Sequence, residues 1–119
     1  MAIELQIIIL LFWHWMIDFG IQSKKQKQNK SSDIWYLLQH AVEYAFLIGI
    51  CTSVMFSIKI GIIFYFSQFI LHGLTDFITS KYTKQLWESE KLNSFFTLIG
   101  FDQWIHQATL IGTIYLLND

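Results

Sequence analysis

The stretch "IKIGIIFYFSQFILHGL", from Ile58 to Leu74, decides the fold. A helix of a soluble bundle needs a continuous polar face, and this stretch has none. Together with the residues up to Thr79 it is long enough to cross a hydrocarbon core of about 30 Å, at a rise of about 1.5 Å per residue. We therefore predict that it forms a membrane-spanning helix.

Three further apolar runs have the same character: Ala2 to Phe19, Tyr36 to Ile58 and Ser94 to Leu117. Only 14% of the 119 residues are charged, against about 25% in an average soluble domain. The prediction is an all-α integral membrane four-helix bundle, with residues 1–119 as a single transmembrane domain. The expected helices are at about 2–22, 34–58, 60–81 and 93–117, joined by loops that include 23–33 and 82–92.

The lysines predict the topology. Seven of the eight basic residues lie in or beside loops 23–33 and 82–92, and only Lys59 lies in the second turn. Short lysine-rich loops stay in the cytoplasm. We therefore expect a multi-pass protein of the inner or plasma membrane, with loops 23–33 and 82–92 in the cytoplasm and both termini on the outer side. Membrane lipids are then the expected partners. The net charge of -1 gives no reason to expect nucleic acid, and the sequence leaves a homo-oligomer open.

Two six-residue stretches repeat one pattern of His, three residues, Asp and Phe. They are "HWMIDF", from His14 to Phe19, and "HGLTDF", from His72 to Phe77. The first and third predicted helices run in the same direction, so a rotation about the membrane normal could relate them. We therefore predict two helical hairpins packed as a parallel repeat around a shared site.

Each predicted helix carries one histidine with an acidic residue three or four positions away, a spacing that puts both on one helix face. An ionised group in the membrane costs about 2.5–3.5 kcal/mol, so several such pairs at one depth indicate a functional site. The pairs are His14–Asp18, His40–Glu43, His72–Asp76 and Asp102–His106.

Imidazole and carboxylate groups on facing helices build metal sites in bundle cores, including two-metal sites. We predict a divalent ion, zinc first and iron or manganese as alternatives, because these ions accept nitrogen and oxygen ligands. The predicted ligands are His14, Asp18, His40, His72, Asp76, Asp102 and His106, with His40 as ligand or proton shuttle. The candidate catalytic groups are Asp18, Asp76 and Asp102, and the expected supporting side chains are Gln22, Glu43, Gln68 and Gln103.

These motifs together resemble a known family. They are "H-x3-D-F-x2-Q" from His14, a basic segment ending in Lys30, "LLQH" ending at His40, "H-x3-D" from His72 and "D-Q-x2-H" from Asp102. As a set, from about Leu10 to Leu110, they are similar to the small membrane proteins of domain of unknown function 3307. A more distant analogy is to inner-membrane proteins described as membrane-bound metal-dependent hydrolases, which implies hydrolysis but does not fix it.

Three functions stay open at this point. The first is a metal-dependent hydrolase acting on a lipid or lipid-linked substrate, which predicts a cavity open toward the cytoplasmic leaflet. The second is a transporter or channel for protons or divalent metals, which predicts a polar path continuing to the outer face. The third is a non-enzymatic partner protein whose histidines and aspartates form a structural polar core.

Overall fold

The computed structural model describes residues 1–118, and within them the only secondary structure is helical, which confirms the predicted all-α class. The first helix continues into a π-helical segment, and a short helix precedes three long ones. The bounds are α1 Ile3–Trp15, the π-helical segment Met16–Ile21, α2 Lys24–Asn29, α3 Ile34–Met55, α4 Ile58–Glu88 and α5 Leu92–Asn118.

Three helical stretches are long and apolar enough to cross a membrane: Ile3–Ile21, Ile34–Met55 and Ile58–Glu88. The fourth predicted span, now α5, is not among them. Its 27 residues give it the length, but polar side chains such as Asp102, Gln103 and Gln107 lower its mean hydropathy.

The burial pattern is inverted relative to a soluble protein. Among the described residues, thirteen polar or charged side chains are buried against ten hydrophobic ones. Large apolar side chains face outward along all the long helices, for example Phe12, Phe46, Phe66 and Trp104, each more than half exposed. Soluble monomers rarely expose apolar surface this extensively, so an apolar environment suits this exterior.

The long helices pack around a polar middle, and the end of the bundle that holds both termini is filled with apolar side chains. This apolar end has Leu10, Ile48, Phe64, Leu110 and Ile114 at its core. The loop between α1 and α3 and the turn between α4 and α5 lie at the opposite end. The polar middle is therefore closed off on the side of the termini.

Helices α3 and α4 form a hairpin that approaches closely at two glycines. A Cβ added at Gly61 would lie 2.6 Å from the carbonyl oxygen of Gly49 and would also collide with the Ser53 hydroxyl. Ser57 caps α4, since its hydroxyl accepts from the Ile60 N–H at 3.3 Å. The small residues thus set the separation of the two helices that carry His40 and His72.

Two predicted loops differ from the structure. Residues 24–29 of the loop 23–33 form α2, because Ser23 and Gln26 make a reciprocal capping box. Helix α4 extends through Glu88, across most of the loop 82–92. That extension has neither glycine nor proline and contains Lys84, Gln85 and Leu86, which favour helix.

The predicted first helix, 2–22, is regular only to Trp15. From Met16 the backbone widens, and the N–H of Gln22 donates to the carbonyl of Ile17, five residues back, at 3.3 Å. Single π-helical turns of this kind occur frequently at functional sites. Here the turn contains Asp18, which is buried.

Candidate metal centre

Four donor atoms converge in the middle of the bundle and define what we term the four-donor group: Asp18, His40, His72 and Asp76. All four side chains are buried. His40 Nε2 lies 3.0 Å from Asp18 Oδ1, 3.1 Å from His72 Nε2 and 3.3 Å from Asp76 Oδ2. His72 Nε2 lies 3.5 Å from Asp18 Oδ1 and 3.4 Å from Asp76 Oδ2.

These distances match the edges of a coordination tetrahedron. Ligands held at 2.0–2.1 Å from a zinc ion are separated by about 3.3–3.4 Å. Hydrogen bonding alone accounts poorly for the arrangement, because an imidazole nitrogen carries at most one hydrogen. His40 Nε2 has two carboxylate oxygens and the His72 Nε2 atom around it, and one hydrogen cannot satisfy both carboxylates fully. A cation at the centre would satisfy all four donor atoms together.

A second set of donors adjoins the first and forms the three-donor group: Asp76, Asp102 and His106. His106 Nε2 lies 3.0 Å from Asp76 Oδ1 and 3.3 Å from Asp102 Oδ2. Asp76 thus offers Oδ2 to one group and Oδ1 to the other. A carboxylate shared in this way suits two ions about 3.5–4 Å apart, and three protein ligands would leave one position open.

Gln103 connects the two groups. Its amide nitrogen donates to Asp18 Oδ2 at 2.9 Å and to Asp102 Oδ2 at 3.2 Å. Its amide oxygen accepts from His14 Nε2 at 2.8 Å. Such hydrogen bonds would fix the orientation of both carboxylates around a bound metal, and the supporting role of Gln103 stays a prediction.

His14 was predicted as a ligand, but it lies beside the donor atoms and not among them. With Nε2 donating to Gln103, its Nδ1 accepts from the Tyr44 hydroxyl at 2.7 Å, which assigns the tautomer. The ring remains close to the cluster, with its centroid 6.4 Å from that of His72. The two hexapeptides therefore reach the same site, but only the second one contributes its histidine to a donor group. The parallel repeat stays a prediction.

Lys30 brings a positive charge to the cluster from the end of α2. Its ammonium lies 3.2 Å from Asp76 Oδ2. Burial would lower the pKa of the ammonium, but the carboxylates of Asp76 and Asp18 outweigh burial and raise its pKa. Lys30 is therefore cationic and neutralises one of the three buried carboxylates.

The remaining predicted supporting residues lie at different distances from the donors. Gln68 is completely buried one turn before His72, and its amide has no hydrogen-bond partner among the described residues. Gln22 is buried at the wall of the cavity described below. Glu43 makes a different contact, in which its carboxylate accepts a hydrogen bond from the Gln26 amide at 3.0 Å. The side chain of His40, its predicted partner, instead contacts Asp18, His72 and Asp76.

Sequence reasoning missed three side chains that shape the site. Tyr44 is fully buried and stacks on His72 with ring centroids 3.6 Å apart. Thr79 is buried and donates its hydroxyl to Asp102 Oδ1. The sequence predicted Lys30 only as the end of the basic segment in the loop 23–33 and not as a contact of the site. Tyr44 was detectable, because it lies four residues after His40 and so shares its helix face.

A cavity of about 480 Å³ reaches Asp76 and Asp102 from the end of the bundle opposite the termini. We name it the lysine cavity after Lys27, Lys30 and Lys84, which line it. Its volume lies within the range of about 300–1,000 Å³ that is typical of small-molecule sites. The three-donor group is thus accessible from one side, and the four-donor group lies deeper.

No protein-family model, curated protein or solved structure matches the chain. The resemblance to the family of domain of unknown function 3307 therefore stays a prediction. The functional argument rests on the geometry of the two donor groups and of the cavity.

Proposed function

We propose that the chain is a membrane-embedded, metal-dependent hydrolase with a two-ion site in a bundle formed by α1, α3, α4 and α5. The observation that carries the proposal is the sharing of Asp76 between two donor groups, one enclosed and one facing a cavity. The proposed substrate is lipid or lipid-linked, because the site lies between helices whose outer surfaces are apolar.

The exterior supports the membrane location. Three stretches have the length and hydropathy of spans, and large apolar side chains cover the outside of the bundle. Helix α5 completes this bundle by packing against α4 and α1. Its polar residues Asp102, Gln103 and His106 face the polar middle of the bundle. These inward-facing side chains account for part of the lower mean hydropathy of α5.

Charge balance supports the metal. The cluster contains the carboxylates of Asp18, Asp76 and Asp102, and Lys30 neutralises one of them. Two buried negative charges remain to be compensated if the histidines are neutral. Buried carboxylates are costly unless they are paired or coordinate a cation, and the donor set of nitrogen and oxygen suits zinc, manganese or iron.

Hydrolysis follows from the accessible side of the site. A divalent ion bound there would act as a Lewis acid and lower the pKa of a bound water to about 7. Asp102 lines the cavity, and its Oδ1, which Thr79 orients, is the oxygen left to accept the proton of a water while Oδ2 belongs to the three-donor group. The oxygen of that water would form a bond to the carbonyl carbon or phosphorus, the bond to the leaving group would break, and the leaving alcohol or amine would take up the proton.

The apolar end of the bundle disfavours the transport alternative. A conducted ion would have to pass Leu10, Ile48, Phe64, Leu110 and Ile114, all of them buried. The lysine cavity lies at the other end, where it would admit a substrate to the three-donor group.

The proposal is tested with purified protein in detergent, stripped by a chelator and reloaded separately with zinc, manganese or iron. Lipid carboxylic esters, amides and phosphoesters in mixed micelles serve as substrates. At least one metal should restore hydrolysis of one class. Asp76→Asn should then lower the rate about 100-fold or more, since Lewis-acid stabilisation contributes several kcal/mol.

Glu4→Gln is the matched control, because it makes the same change at an exposed residue near the start of α1. Its rate should equal that of the wild type. Failure of every metal to support hydrolysis of all three substrate classes would contradict the proposal, and so would an unchanged rate in Asp76→Asn.

A further inference from the structure

The lysine cavity concentrates groups that bind anions next to the three-donor group. Lys27 and Lys30 enter it from α2, and Lys84 enters it from the extended part of α4. Lys27 is held in place, because its ammonium donates to the Phe19 carbonyl at 3.0 Å. Hydroxyl groups from Ser80 and Thr83 line the same wall.

Binding of the proposed ions would leave the lysines of the cavity without enough carboxylate partners. Three lysines and three carboxylates line the cavity. The carboxylates are those of Asp76 and Asp102, which belong to the donor groups, and that of Glu88 near the end of α4. Divalent ions held by Asp76 and Asp102 would leave the lysines in excess. The loaded cavity would then need a ligand with negative charge and several oxygen acceptors. A phosphoryl group has both properties, with a charge of about −1.5 to −2 as a monoester.

The cavity also has an apolar part. Phe19, Phe95 and Ile99 line it together with Trp87, whose ring packs against that of Phe95 at 5.1 Å between centroids. A free inorganic anion would make no use of these side chains. A molecule with a charged head and a hydrocarbon chain would contact the lysines and the aromatic wall together.

We infer that the lysine cavity binds the phosphoryl head group of a membrane amphiphile and presents it to the three-donor group. This inference rests on the proposed function and names its substrate class as a phosphoester. Hydrolysis would form one P–O bond from water and break the P–O bond to the alcohol. The leaving alcohol would take up one proton of that water.

The test measures binding and not turnover. Zinc-loaded protein in non-ionic detergent is titrated calorimetrically with dioctanoyl phosphatidic acid, inorganic phosphate and dioctanoylglycerol in separate experiments. Phosphatidic acid should bind saturably at one site per chain. Inorganic phosphate should bind at least about tenfold more weakly because it lacks the chain, and dioctanoylglycerol should show no saturable binding.

The double variant Lys27→Gln/Lys84→Gln should weaken binding of phosphatidic acid about tenfold or more, because it removes two charge-assisted contacts. Lys24→Gln/Lys25→Gln is the matched control, since it removes the same charge from exposed residues of α2 that do not line the cavity. It should bind like the wild type. The zinc content of each sample is measured alongside.

Two results would overturn the inference while zinc remains bound: equal affinity of the Lys27→Gln/Lys84→Gln variant and the wild type, or inorganic phosphate binding as tightly as phosphatidic acid. Protein that holds no zinc, manganese or iron would instead contradict the proposed function itself. The zinc measurement therefore separates the two failures.

Discussion

Asp76 connects the two donor groups through its two carboxylate oxygens. Oδ2 faces Lys30, His40 and His72, while Oδ1 faces His106. One short side chain on α4 is thus contacted from α3, α5 and the end of α2. A carboxylate can occupy such a position because it has about four acceptor sites on two oxygens.

At the residue scale, His14 and His40 should differ in their effect on metal content. We expect His40→Ala to lose bound zinc, because His40 Nε2 lies among the four converging donors. His14→Ala should keep zinc at saturation, with affinity lowered about 10–100-fold, since His14 acts through Gln103. Elemental analysis after equilibration with buffered zinc measures this, with circular dichroism to verify helicity. Equal loss in both variants would restore His14 as a ligand.

The sequence predicted the composition of the site better than its contacts. Spacing along a helix identifies which side chains share a face. It correctly predicted that His72 lies beside Asp76 and that Asp102 lies beside His106. It could not show that Asp18 contacts His40 and not His14, since that depends on the π-helical turn and on packing between helices.

At the scale of the element, two local features position the site. The π-helical segment redirects Asp18 toward α3, and α2 places Lys30 on Asp76. The capping box of Ser23 and Gln26 was readable in the sequence as a helix start. The π-helical turn had no comparable signal, because its stability comes from the tertiary contacts of Asp18 with His40 and Gln103.

The hairpin of α3 and α4 should be sensitive to Gly61. We expect Gly61→Ala to lower the unfolding free energy in detergent by about 1–3 kcal/mol, because the added methyl would meet the backbone of Gly49. Gly112→Ala is the control, since nothing lies within 4 Å of its Cβ position, and it should be neutral or stabilising. Thermal unfolding followed by circular dichroism measures both. Equal melting temperatures of Gly61→Ala and the wild type would argue against the close packing.

At the scale of the whole molecule, the bundle has an apolar exterior, a polar middle and different ends. The termini lie at the apolar end, and the lysines cluster at the end that opens into the cavity. The distribution of lysines was evident in the sequence. The hydrolase hypothesis predicted a cavity at this end, but its lining was not evident, because it comes from the unpredicted α2 and from the extension of α4.

The topology prediction places both termini outside and the lysine cavity at the cytoplasmic face. In a Cys51→Ser background, an impermeant maleimide should label Asn118→Cys in intact cells. It should label Ser32→Cys only after lysis, because loops rich in lysine stay in the cytoplasm. Labelling of Ser32→Cys and not of Asn118→Cys in intact cells would reverse the orientation.

The central claim is that Asp76 joins two metal ions inside the bundle, and elemental analysis tests it most directly. Wild-type protein is purified in detergent without added metal, and its zinc, iron and manganese are measured against protein concentration. We expect about two ions per chain in the wild type, a clear reduction in His72→Ala, and close to none in Asp76→Asn. A wild-type chain without near-stoichiometric metal, with both variants indistinguishable from it, would contradict the claim and leave the cluster as a structural polar core.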